Sequence, residues 1–217
     1  MDPEVLVEET DVVGRLHGMG MAVQVLRDAV REGVAPVIGC TGHDPAQLPG
    51  ILGWGKITRA LRDRMVPSGW KARGVRGQAL TTSADGSVSV VVAAGDENTG
   101  RLGDSPTTRS AKGPATKDAV AWNQRSFAEI SADFAKAAPD RSTARTWALL
   151  YFIDEEEDEV RVELSLPTHI RENGFVAEWH ERIILPAVEL STPPSAPHDE
   201  LEDEHEETVP VHRRSAG

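Results

Sequence analysis

Six consecutive acids at residues 154–159 separate two apolar segments, and no other feature restricts the fold so strongly. Six adjacent carboxylates cannot leave water without partners, so this block reads as a solvated tip. Residues 145–153, RTWALLYFI, are apolar on both faces, as suits a central strand. Residues 160–166 alternate, with Val160, Val162, Leu164 and Leu166 on one side. Two such strands joined by a short polar tip predict an antiparallel hairpin. A third strand is predicted over 176–185, with Phe175, Ala177, Trp179, Ile183 and Leu185 on one face and Glu178, His180 and Arg182 on the other.

Upstream, 78–83 and 87–94 flank Ala84-Asp85-Gly86, a strong turn signal, and predict another hairpin. The N-terminal part is helical in pattern. Val12, Leu16, Met19, Val23, Leu26 and Val30 step by threes and fours and predict one helix ending at Gly33. Asp44-Pro45 suits a short helix start, and Trp54, Ile57, Leu61 and Met65 form the stripe of a further helix over 54–66. Another is predicted over 117–138. The expected fold class is α+β: an antiparallel sheet of about five strands with N-terminal helices packed on one face.

Residues 191–217 hold seven acids, two arginines and several prolines and serines, with little to anchor in a core. They predict a disordered acidic C-terminal tail. The chain then divides into residues 1–94, helices plus first hairpin, readable as a winged-helix-like unit; 95–117, a long loop; 118–190, a helix and the second strand group completing the same fold; and the tail.

Cys40 is the only cysteine, so no internal disulfide forms. No apolar run approaches the roughly 20 residues of a membrane helix. The acidic start MDPEVLVEETD lacks the basic and apolar regions of a signal peptide. A cytoplasmic protein without a membrane partner is expected. Arginine outnumbers lysine 18 to 5, which reads as the imprint of a GC-rich, bacterial genome.

The net charge of −12 is unevenly spread. Residues 54–76 carry Lys56, Arg59, Arg62, Arg64, Lys71, Arg73 and Arg76 against Asp63 alone. In the winged-helix reading, the helix within this segment enters a nucleic-acid groove and its cations neutralise phosphates. The leading expectation is therefore a non-catalytic regulatory protein that binds nucleic acid through these seven residues.

The stretch VVVAAGDENTGRL, residues 90–102, raises a second possibility. Gly95 and Gly100 have the spacing of a phosphate-binding loop, but Arg101-Leu102 stands where lysine and a hydroxyl residue belong. Leucine cannot hold magnesium. The alternative function is an enzyme whose site lies in the 95–117 loop, with Asp96 and Glu97 as acids and Arg109 and Lys112 as anion-binding groups. A third reading is a protein–protein interaction module, a homodimer joined through the first helix.

Other constellations read as structural. Glu178, His180 and Arg182, beside Arg161 and Glu163, resemble a polar sheet face with charges paired across strands. Cys40 and His43 lie near each other without further catalytic context. No ligand spacing for zinc occurs, and neither a metal nor a cofactor is expected.

Overall fold

The computed structural model describes residues 3–75, 77–124 and 144–190. The acid-tipped hairpin lies at its centre. Strands β5 (Arg145–Asp154) and β6 (Glu159–Ile170) run antiparallel, from Ala148 opposite Ser165 to Asp154 opposite Glu159. Asp158 closes the tip at φ 52°, a left-handed conformation that aspartate tolerates better than most residues. Strand β7 (Val176–Glu189) pairs antiparallel with β6.

On the other side of β5 lie β4 (Val88–Ala94), β3 (Gln78–Thr82) and β2 (Lys71–Val75). The short β1 (Glu4–Leu6) pairs with β7. The result is one seven-stranded sheet in the order β1-β7-β6-β5-β4-β3-β2.

This corrects the expected five-stranded antiparallel sheet. The five expected strands are β3 to β7, but the sheet is mixed: β4 is parallel to β5 and β1 is parallel to β7. The parallel pair follows from chain length. About 50 residues separate β4 from β5, enough for the crossover that a parallel pair requires. The two additional strands carried little signal. β1 has three residues, too few for periodicity, and β2 (KARGV) is an edge strand with four exposed positions and no buried face to impose alternation.

Three helices cover one face: α1 (Glu9–Gly18), α2 (Val23–Ile38) and α3 (Leu48–Met65). Their apolar stripes meet Trp147, Leu149, Val162, Leu164 and Ile183 in the main core. A fully buried leucine or isoleucine contributes about 2 kcal/mol. The single helix expected over 12–30 is broken. Gly20 adopts φ 72°, and the N–H groups of Met19, Gly20 and Met21 turn back onto the carbonyls of Leu16 and His17. Val12, Leu16, Met19, Leu26 and Val30 are nevertheless all buried.

Gly33 does not end α2. It lets α3 approach: a Cβ there would stand 2.6 Å from Ile57 Cα. Nor do Pro49 and the nearby glycines break α3, which begins at Leu48 and leaves no separate short helix at Asp44. Proline at the start of a helix loses no hydrogen bond.

The opposite face is covered by the segment 95–113 and by α4 (Pro114–Asn123) over Ala93, Ala148, Leu150, Val176 and Trp179. Here β7 departs from simple alternation. A register shift between Leu166–Glu181 and Pro167–Trp179 lets Trp179 join this face while Ile183 and Leu185 join the main core. Trp179 therefore does not share a face with Ile183, as strict alternation had implied. No described helix is long and apolar enough to cross a membrane. The tail expected at 191–217 and the helix extension beyond residue 124 fall outside the described residues.

Candidate functional site

The glycine-spaced loop after β4 receives an anion, and that anion belongs to the protein. The Gly100 N–H donates to Glu163 Oε2 at 2.8 Å. Glu163 and Arg182 are both fully buried and pair through Nη2–Oε2 at 2.7 Å and Nε–Oε1 at 3.1 Å. The Ser165 hydroxyl donates to Glu163 Oε1 at 2.6 Å. Arg182 also donates to the Arg101 carbonyl at 3.0 Å. The ion pair thus bolts the loop onto the sheet, and buried charges persist only when paired in this way. Gly100 has φ 72°, and a Cβ there would stand 2.9 Å from Arg161 Cβ, so the loop lies directly on β6.

Of the acids expected at a loop site, Asp96 serves the same fastening through its carboxylate and Glu97 only through its main chain. Asp96 accepts from the N–H groups of Asn98 (3.1 Å) and Thr107 (2.9 Å), which consumes both carboxylate oxygens. The Glu97 carbonyl accepts from Arg161, while its side chain is exposed. Trp179 Nε1 donates to the Pro106 carbonyl at 2.8 Å and anchors the far end of the loop.

The basic segment is divided among several tasks. Arg59 pairs with Asp63 at 3.4 Å, and Arg64 pairs with Glu32 at 2.9 Å. Arg62 donates to the carbonyls of Arg73 and Leu80, both at 3.0 Å, which ties α3 to β2 and β3. Lys56, Lys71 and Arg73 are exposed, and Arg76 lies outside the described residues. The α1 stripe that suggested a pairing surface faces the chain's own core, with Leu16 fully buried and Val13 left on the outer side. The Cys40 thiol contacts the Pro36 carbonyl rather than His43.

Arg109 and Lys112 stand elsewhere, on a cleft of about 540 Å³. Its origin is in the sheet. β3 pairs with β4 only through Thr81–Val90 and Thr82–Ser89, so the strands part beyond Val90. Val91 to Ala94 stay paired with β5 but border an opening on the side that faces β3. Gly50, Ile51 and Trp54 of α3 form one wall, with Trp54 44% exposed at the mouth. Pro114, Thr116 and Ala119 of α4 form the other. That helix is held in place by Asn123, which donates to the Thr146 and Pro167 carbonyls and accepts from the Thr146 N–H.

Tyr151 borders the cleft and is only 4% exposed. Its hydroxyl is accommodated because Gly53 has no side chain: a Cβ there would stand 3.1 Å from Tyr151 Cζ. The hydroxyl has no hydrogen-bond partner among the described residues. Burial pushes this phenol up to about 12, with the Arg109 charge pulling weakly the other way. Lys112 donates to the Ser110 hydroxyl at 3.2 Å, and burial lowers its ammonium from the usual lysine range.

Arg109 and Lys112, singled out from sequence, line this cleft together with Tyr151, Trp54 and the α4 terminus, which were not. Two signals were present. Tyr151 is the only polar side chain among residues 147–153. Gly113-Pro114 opens α4 without a Ser, Thr, Asp or Asn to cap it. Among the described residues, no group of three His, Cys, Asp or Glu is placed to hold a metal ion. The chain matches no protein-family model, no curated protein and no solved structure.

Proposed function

We propose that this is a non-catalytic small-molecule-binding protein whose site is the cleft between α3, α4 and the parted ends of β3 and β4. The observation that carries this reading is the Tyr151 hydroxyl, whose hydrogen bond no described protein group accepts, on a largely buried side chain in the wall of a largely apolar cleft. A hydroxyl facing a cleft is a ready donor, and a ligand that accepts its hydrogen bond gains orientation as well as a contact. Apolar walls with a few convergent polar groups are the usual composition of a ligand site, and the volume falls in the range such sites occupy.

The test uses the neutral fluorophore N-phenylnaphthylamine. Saturable fluorescence enhancement is expected, and Ala119→Phe, which fills the cleft from α4, abolishes it. Enhancement that is unchanged in Ala119→Phe would place binding elsewhere and remove the proposal.

A second reading, nucleic-acid binding through the basic segment, keeps support from Lys56, Lys71 and Arg73. These three are exposed and have no acid partner among the described residues.

A further inference from the structure

We infer that the ligand is an anion: an apolar body ending in an oxyanion group, seated at the N-terminus of α4 between Arg109 and Lys112. This rests on the cleft being the binding site. Charge distribution is the first support. The chain carries 35 acids and a net charge of −12, yet the described residues lining the cleft include two cations and no carboxylate. In so acidic a chain, a concavity whose described lining holds two cations without acid partners among the described residues attracts anions by contrast with the surface around it.

Backbone geometry is the second support. Gly113 caps α4 without a side-chain hydrogen bond, and Pro114 has no N–H to give. The N–H groups of Thr116 and Lys117 turn back to the Gly113 carbonyl, and Gly113, Pro114 and Ala115 all lie on the cleft wall. An open helix N-terminus favours negative charge through its unpaired N–H groups and its dipole.

The third support is independent of the helix. The Tyr151 hydroxyl, whose hydrogen bond no described protein group accepts, borders the same cavity, and Arg109 lies close enough to influence its ionisation. A phenol kept protonated is a donor and calls for an acceptor. Lys112, partly stripped of water, regains stabilisation when an anion arrives. Ile51, Trp54, Ala148 and Trp179 supply the apolar surface for the rest of the molecule.

Two probes with the same aromatic body separate the claims: anilinonaphthalene sulfonate carries a sulfonate, and N-phenylnaphthylamine is neutral. The sulfonate is expected to bind the wild-type protein about tenfold more tightly, a single charge-assisted contact being worth that much or more. Lys112→Met and Arg109→Met each erase most of that preference and leave the neutral probe unaffected, while Lys112→Arg restores it. Equal affinity of the two probes, or a preference indifferent to both methionine variants, overturns the anion inference and leaves the cleft reading standing. Failure of both probes, or binding that survives Ala119→Phe, removes the cleft reading and this inference with it.

Discussion

Arg182→Met tests whether the buried ion pair holds the loop. Methionine keeps much of the stem's length and removes the guanidinium. The lost interactions are two hydrogen bonds to Glu163, at 2.7 and 3.1 Å, and two to loop carbonyls, those of Arg101 at 3.0 Å and Asp104 at 3.4 Å. Removing one partner of a buried pair costs about 3–5 kcal/mol, because the other charge stays behind. Glu163 retains the Gly100 N–H and the Ser165 hydroxyl, so the lower end applies, about 3 kcal/mol. In a domain of this size that is a fall in Tm of about 6–12 °C. Urea unfolding followed by tryptophan fluorescence gives the free energy, and trypsin cleavage after Arg101 reports the loop. The loop should open before the sheet unfolds, because Gly100 and Arg101 lose their anchor first. A double-mutant cycle with Glu163→Leu should return a coupling of about 2 kcal/mol or more. If Arg182→Met lies within about 1 kcal/mol of wild type and Arg101 remains protected, the pair does not fasten the loop and the reasoning fails.

Tyr151 is the chain's only tyrosine, so the phenolate absorption band reports it alone. The native midpoint is expected near 12, against about 10 in urea. A raised phenol value means that the native state holds its proton longer. Stability is therefore complete below about pH 10 and falls as pH rises toward 12, by about 2–3 kcal/mol. Tyr151→Phe removes that part of the slope, and a native midpoint near 10 would show that the phenol is not buried. Gly33→Ala should cost about 1–3 kcal/mol by forcing α3 off α2, readable as a shifted urea midpoint. Ala at Gly18, where the added Cβ meets nothing within 4 Å, serves as the control. For the nucleic-acid reading, Lys71→Glu with Arg73→Glu should abolish binding of a labelled single strand in fluorescence anisotropy, and wild-type affinity should fall steeply with salt. Affinity unchanged by the double reversal would end that reading.

How much was legible depended on what each residue's signal encodes. Alternation in 160–166 and the acid block at 154–159 reported backbone direction and side, and both survived as β6 and its tip. Alternation does not say whether a polar side is covered. Arg161, Glu163 and Ser165 look like any solvated face, yet all three are buried, because a loop distant in sequence lies over them. The glycine signals were ambiguous for a related reason. Gly33 and Gly53 are needed for close approach by Ile57 and Tyr151, side chains 24 and 98 positions away, whereas a sequence window sees only lost helix propensity. The cleft was illegible on the same ground, since it is made where β3 stops pairing with β4 and no single segment encodes a gap. Its cations were visible in sequence because nothing local explained them. The two acids read beside them, Asp96 and Glu97, do not line the cleft: the Asp96 carboxylate, two residues before a turn N–H, has a backbone use that Arg109 and Lys112 lack, and the Glu97 side chain is exposed. Asking first which charges the backbone uses sets Asp96 apart from Arg109 and Lys112, which line the cavity, whereas the exposed Glu97 can be set apart only by the fold.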